Sequence, residues 1–240
     1  ISGEDYEYAV PDWLAAAPES QRTFMSRQWI EAVANLHANP GDRFPAERID
    51  PKQYATICLD MATNAGGDAR LIALLETLVK NPLPESGPPT PVHGDPKHGN
   101  TMWRKDGTLV ALLDWEMSFV GEPLHDLGWM LCLYGQQLAS AGLDLPGWLQ
   151  QPQIVERWEA RTGRSAAAIE KYKLLSFAKI AAINSHGMWL YNSGRTSDPR
   201  YAAWGQGMPI LLDILASSSG ALRVKELPFE FGARQHGESK

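Results

Sequence analysis

Apolar residues along this chain recur at helical spacing almost everywhere except between Thr101 and Leu113, where the period switches to that of strands. A chain patterned this way has to bury helical stripes against one another and fit one small β-ribbon into their midst. From Arg22 to His37, Met25, Trp29, Val33 and Leu36 mark a first helix. Asp50-Pro51 reads as an N-cap followed by proline at the first helical position, opening a helix to about Asn64 that Gly66-Gly67 stops. Leu71, Leu74, Leu75, Leu78 and Val79 fall at i, i+3, i+4, i+7 and i+8, one broad apolar stripe. Five prolines in the ten positions from Pro82 to Pro91 predict an extended connector. Thr101 to Arg104 and Thr108 to Leu113 are β-prone runs parted by Lys105-Asp106-Gly107, a hairpin signal. Helices are predicted again over about 124–140, 152–162, 166–191 and 200–216. The third is central, because Leu174 to Ile183 is apolar except for Ser176 and Lys179. The fold class expected is α+β, mainly α-helical.

Composition narrows the functions open to such a chain. The 240 residues are enough to bury a sizeable core, and the formal charge of −6 argues against a nucleic acid or an anionic membrane held by a general basic field. A phosphate ligand would therefore need local cations, and a metal ion held by carboxylates is the obvious source. No apolar run approaches the ~20 residues of a membrane span, and no signal peptide is expected. Cys58 and Cys132 lie inside apolar helical patterns and read as reduced core thiols of a cytoplasmic protein.

The chemistry gathers around the hairpin. Ahead of it runs His93-Gly94-Asp95-Pro96-Lys97-His98-Gly99-Asn100, and the apolar run Leu109 to Leu113 after it ends abruptly in Asp114-Trp115-Glu116. Protein-kinase catalytic loops place an Asn five residues after the Asp of His-Arg-Asp, with a later metal-binding Asp. Asp95 and Asn100 have that spacing. A tight loop turns the two toward one point, and a hairpin returns Asp114 beside Asn100 because its strands are neighbours. One carboxylate then faces an incoming hydroxyl while an amide oxygen and a second carboxylate hold Mg²⁺ between phosphate oxygens. From average residue usage, His-x-Asp-x₄-Asn arises by accident in roughly 1% of chains this long; the added hairpin and Asp-ended strand make chance a poor explanation.

At these residues the chain resembles the aminoglycoside phosphotransferase and choline kinase family. Its members carry His-Gly-Asp, four residues, Asn, then a hydrophobic strand ending in Asp-Trp-Glu. The likeness extends through Gly121-Glu122-Pro123-Leu124-His125-Asp126-Leu127 and the Leu36-His37 end of the first helix. Ala181-Ala182-Ile183 is similar to the branch fused to, or accompanying, acyl-CoA dehydrogenases. The resemblance implies the C-terminal lobe of a protein-kinase-like fold, with the active site on the small hairpin. It implies Asp95 as catalytic base, Lys97 near the transferred phosphate, and Asn100 and Asp114 as Mg²⁺ ligands. Asp126 would support the loop by accepting its backbone N–H groups, with His93 packed beneath the loop and Glu116 paired to a cation or, through water, a second metal. His98 reads equally as a phosphate contact or a solvated side chain.

The activity implied is transfer of the γ-phosphoryl group of ATP or GTP to a hydroxyl of a small substrate. His186, Trp189, Tyr191, Arg195 and Trp204 stand late in the chain, where an acceptor pocket is expected. No glycine-rich loop after a strand and no Val-Ala-Ile-Lys-like run precedes Asp95. The expected division is a post-hinge entry segment over 1–20, a helical lobe over 21–217 and a polar tail over 218–240. The small nucleotide lobe is expected to be missing, leaving this stretch inactive by itself. Two other readings stay open: a non-catalytic lobe that binds a ligand or partner, and a metal-dependent phosphoesterase. The acceptor, the choice between ATP and GTP, and the oligomeric state are not legible in the sequence.

Overall fold

A computed structural model of the chain describes residues 16–104, 106–140 and 146–218, with side chains other than those of 133–140, 217 and 218. Most of the entry segment and nearly all of the polar tail therefore lie outside the described residues. Eight α-helices occur among the described residues: α1 (Glu19–His37), α2 (Pro51–Asn64), α3 (Ala69–Lys80), α4 (Leu124–Ser140), α5 (Gln151–Thr162), α6 (Ile169–Asn192), α7 (Pro199–Trp204) and α8 (Met208–Ser218). None is long and apolar enough to cross a membrane. Among the described residues the strands are β1 (Arg48–Ile49), β2 (Thr90–Val92), β3 (Thr101–Trp103), β4 (Leu109–Leu112) and β5 (Phe119–Gly121).

The helices begin where local chemistry starts them. Asp50 accepts the Gln53 N–H at 2.8 Å while the Gln53 side chain accepts the Asp50 N–H at 2.9 Å, a reciprocal cap with Pro51 at the first position. We expect Asp50→Ala to cost about 1 kcal/mol, read as a lower urea midpoint with an unchanged slope. In α3 the stripe buries Leu71, Leu75 and Leu78. The predicted single helix over 200–216 is broken instead: α7 ends, residues Gly205–Gly207 tighten into a 3₁₀ turn, and α8 follows. Pro209 explains the break, since inside a continuous helix its ring would collide with the Gly205 carbonyl and withhold a hydrogen bond.

The core lies between α1, α2, α3, α4, α5, α6 and α8, with α6 burying Leu174, Leu175, Phe177, Ala178, Ala181 and Ala182. Helices α4 and α6 cross so closely at Gly128 that a side-chain carbon there would lie 2.8 Å from the Tyr172 backbone. Both cysteines are buried and free, and burial raises the Cys58 thiol to about 11 despite nearby Lys179. Strands β3 and β4 form the predicted antiparallel hairpin, Thr101 opposite Leu112, with the Thr108 N–H bonded to the Asp106 carboxylate.

A second sheet, in the order β1-β5-β2, was not foreseen. Its strands have two or three residues each, too short to show a period, and Pro91 sits inside β2. Proline is tolerated there because β2 is an edge strand with β5 as its single neighbour. At the junction with α4, Glu122 is buried and accepts from the N–H and hydroxyl of Ser86 and from the Leu124 N–H, fastening the proline-rich connector to the helix start. The hairpin is fastened to α1 by Gln28, which donates to the Gly107 carbonyl and accepts the Leu109 N–H.

Candidate active site

The loop His93–Asn100 runs from β2 into β3 and is buried along most of its length. Its position is set by Asp126 in the first turn of α4. The Asp126 carboxylate, wholly buried, accepts the His93 N–H at 2.7 Å and the Gly94 N–H at 2.8 Å. Its third partner is His37 Nε2 at 3.0 Å, at the end of α1. The Trp158 indole of α5 donates to His37 Nδ1 at 2.9 Å. An indole N–H can donate but not accept, so Nδ1 is the bare nitrogen and Nε2 carries the proton given to Asp126. Burial opposes ionisation of Asp126, but the hydrogen bond from His37, together with the backbone N–H of His93, outweighs it and holds the carboxyl below its ordinary range.

Within this frame the Asp95 carboxylate has three donors. Trp129 Nε1 of α4 meets Oδ1 at 2.6 Å, while Oδ2 takes Lys97 Nζ at 2.9 Å and Asn100 Nδ2 at 3.0 Å. Asn100 Nδ2 also donates to the Asp95 carbonyl at 2.9 Å, closing the turn on itself. Because both amide hydrogens face Asp95, the Asn100 Oδ1 acceptor is left for something else. The Leu113 N–H bonds the Asn100 carbonyl at 2.7 Å, so the hairpin delivers Asp114 directly beside Asn100. Two further contacts lock the turn after β4 onto the loop. The His93 and Trp115 rings lie 4.4 Å apart, and a side-chain carbon at Gly94 would collide with the Met117 carbonyl.

Asp114 has φ 64° and ψ 66°, and among the described residues no other non-glycine has a positive φ. Asp tolerates this left-handed conformation better than most residues, yet it carries strain, and strain of this kind collects at functional sites. The side chain is exposed and makes no hydrogen bond among the described residues. Two hard oxygen donors, Asn100 Oδ1 and the Asp114 carboxylate, thus stand open on neighbouring backbone. That donor set suits Mg²⁺, which takes few protein oxygens and completes its shell with phosphate and water. No cluster of three or more His, Cys, Asp or Glu able to hold a metal occurs among the described residues.

The remaining expected residues fall as follows. Lys97 is buried. His93 is fully buried, its Nδ1 accepting the Asp95 N–H at 3.3 Å. His98 is neither solvated nor open to a phosphate: it is buried between Trp29, at 4.0 Å, and Trp148, at 4.8 Å between ring centroids. Glu116 is exposed and its side chain has no partner among the described residues. Along α6, His186 stacks on Trp189 at 5.5 Å and the Arg195 guanidinium lies 4.1 Å from the Trp189 ring centre. Tyr191 is exposed and makes no ring contact with that stack among the described residues; two residues past Trp189, it lies about 200° further round the helix. Trp204 packs on Tyr201 at 4.7 Å, and the two lie against Gly187 of α6, with no ring contact to the stack among the described residues.

Three participants were not singled out from sequence: Trp129, Trp158 and Lys179. Lys179 looked like a mere interruption in an apolar helix, yet its Nζ donates to the Gly94 carbonyl at 2.6 Å and lies 3.8 Å from the Trp129 ring centre. Burial lowers its pKa below that of an ordinary lysine, while Asp95, Cys58 and Asp126 act the other way. A cation inside an apolar stripe is the signal that could have flagged it.

Residues 3–172 match the model of APH, the phosphotransferase enzyme family, over more than two thirds of the chain. The chain belongs to the APH family. Three solved structures align with it. A candidate aminoglycoside phosphotransferase from Ralstonia eutropha JMP134 superposes with a TM-score of 0.76 at 19% identity, covering 92% of the APH-family chain and 71% of its own. The type I macrolide 2′-phosphotransferase superposes at 0.51 with 17% identity, covering 88% of this chain and 62% of its own. A choline/ethanolamine kinase family protein from Mesorhizobium loti aligns at 0.49 with 19% identity, covering 90% and 66%. The chain thus spans roughly two thirds of the proteins it resembles. The mainly helical, kinase-like fold expected from the resemblance is the fold found.

Proposed function

We propose that this APH-family chain carries the catalytic lobe of a small-molecule kinase, moving the γ-phosphoryl group of ATP or GTP to a substrate hydroxyl. The observation that carries the reading is the Asp95 carboxylate, fixed by Trp129, Lys97 and Asn100 on a turn whose far end is bonded to the strand bearing Asp114. A carboxylate held this way keeps an acceptor lone pair for an incoming O–H. Asp95 takes the hydroxyl proton as that oxygen bonds to the γ-phosphorus, while the bond from phosphorus to the β,γ-bridging oxygen breaks and ADP or GDP leaves. Lys97 stands beside the same carboxylate to meet the transferring phosphoryl oxygens. Asn100 and Asp114 would hold Mg²⁺, which when bound supplies positive charge to the phosphate oxygens. Positioning and electrostatics then provide most of the acceleration. The His186–Trp189–Arg195 stack is the proposed acceptor-side surface. His186 lies seven residues beyond Lys179, on the same face of α6 and about 10 Å along it, a span that suits a small substrate.

A metal-dependent phosphoesterase would need several converging His and Asp ligands, and the described residues provide no such cluster. A non-catalytic lobe is separated from a kinase by nucleotide binding. Mg-ATP is expected to raise the melting temperature by several degrees at saturation, more than ATP with EDTA. Asp114→Asn should abolish the magnesium-dependent part; asparagine accepts the left-handed backbone that alanine would strain, so the loss reports the missing charge. Equal shifts with and without magnesium, or an unaffected Asp114→Asn chain, would remove the metal assignment.

A further inference from the structure

Lys179 is costly where it stands. Its side chain is 5% exposed, and among the described residues no carboxylate lies within ion-pairing distance of its ammonium. Its partners are one carbonyl, that of Gly94, and the faces of two rings, Trp129 at 3.8 Å and Tyr54 at 5.9 Å. An ammonium with no carboxylate in direct contact is expensive to bury, even with Asp95 and Asp126 acting from further off, and an apolar residue would fill this position on α6 more cheaply. Lys179 also lies beyond the 3–172 span matched to the family.

We infer that Lys179 is a positioning residue for Asp95, acting through the Trp129 indole and the Gly94 carbonyl. Two of the three donors on the Asp95 carboxylate, Lys97 and Asn100, ride on the same loop as Asp95 and cannot reference it to the rest of the molecule. Trp129 does, because its Nε1 reaches Oδ1 at 2.6 Å from α4. An indole N–H points wherever the ring plane directs it. The Lys179 ammonium on the ring face holds that plane and draws electron density toward itself, which strengthens the N–H as a donor. The same Nζ grips the carbonyl of the residue preceding Asp95, fixing the peptide that leads into it. One side chain from the central helix therefore controls both the backbone entering Asp95 and the direction of its carboxylate. This inference rests on the phosphotransferase reading for its consequence, but its geometry does not depend on nucleotide.

Three variants separate the contributions. Lys179→Arg keeps a cation and a donor, Lys179→Gln keeps a donor for Gly94 without the charge over the indole, and Lys179→Met keeps neither. In the ¹H–¹⁵N spectrum of the chain without nucleotide, the Trp129 indole resonance, assigned by its loss in Trp129→Phe, should be strongly downfield. It should move upfield in Lys179→Gln, further in Lys179→Met, and return in Lys179→Arg. Melting temperatures should stay close to that of the unaltered chain, since removing a buried charge offsets the carbonyl left without its donor. In the protein carrying a nucleotide lobe ahead of this stretch, with Mg-ATP as the probe and ADP formation as the readout, Lys179→Met should lower kcat by about 10²-fold with KM for Mg-ATP unchanged, the signature of a misplaced group. An unmoved indole resonance in Lys179→Gln and Lys179→Met overturns the inference, as does failure of both variants to fold, which would make Lys179 a structural strut. Absence of ADP formation by the unaltered protein carrying a nucleotide lobe ahead of this stretch would overturn the phosphotransferase reading, while the resonance still decides the role of Lys179.

Discussion

Asp95→Asn, in the protein carrying a nucleotide lobe ahead of this stretch, is expected to lower Mg-ATP-dependent turnover by about 10²–10⁴-fold, the range that a positioned general base contributes. The substitution keeps the shape of the side chain and an oxygen for the Trp129 N–H. It removes the basicity that takes the acceptor proton and leaves Lys97, 2.9 Å away, facing an amide. Because that ion pair is largely buried, some stability will go with it, roughly 1–3 kcal/mol. The two effects are separable: circular dichroism should still report a cooperative melt at assay temperature while ADP release has nearly stopped. A variant that turns over normally would strip Asp95 of its role, whatever the rest of the site looks like.

Asp126→Asn should produce the largest loss of stability. The carboxylate takes three donors inside the protein, from the backbone of His93 and Gly94 and from His37 Nε2. An amide offers one oxygen and must turn its NH₂ toward a group that itself donates. With charge-assisted bonds each worth about 1.5–3 kcal/mol, a net cost of roughly 3–5 kcal/mol is expected, about 10 °C in melting temperature. The pH dependence gives a second check. Since the folded state depresses the Asp126 pKa below its ordinary 3.8, the carboxylate's contribution is complete above that value and is lost as pH falls through the lower, folded-state pKa. The stability gap between the unaltered chain and Asp126→Asn should therefore be widest near neutrality and close in acid below about pH 4. A gap that is constant through that range would mean that His93, Gly94 and His37 are held in place by something else. Turnover should fall as well, because these bonds anchor the loop that carries Asp95.

Much of this site was legible before any coordinates. Asp95 and Asn100 are five residues apart, and loop closure over so short a stretch leaves few ways for them not to meet. Asp114 was placed by an Asp-Gly turn and by strand pairing, both local. What could not be read was the left-handed backbone at Asp114, since periodicity reports which face a residue occupies and says nothing of the strain at the strand's end. The short strands β1, β2 and β5 were missed because two or three residues hold no period, and Pro91 argued against a strand that its edge position permits. His98 was misjudged because a polar residue in a glycine-rich loop looks solvated, whereas Trp29 and Trp148 come from distant parts of the chain to bury it.

The division has a physical basis. The sequence by itself determined the helices, through apolar spacing and caps such as Asp50, and the hairpin, through its turn, because those depend on neighbours within a few residues. It also singled out the side chains proposed here for phosphoryl transfer. Tertiary structure alone decided what holds them: Trp129 on Asp95, Lys179 on the Gly94 carbonyl, and Trp158 behind His37 on Asp126, partners 34 to 121 residues apart in the chain. Spacing along a helix fixes the direction in which a side chain leaves its own axis, but the group it meets is set by how the helices cross. The close approach at Gly128 and Tyr172 is one such crossing, and it brings the helices bearing Trp129 and Lys179 together beneath Asp95.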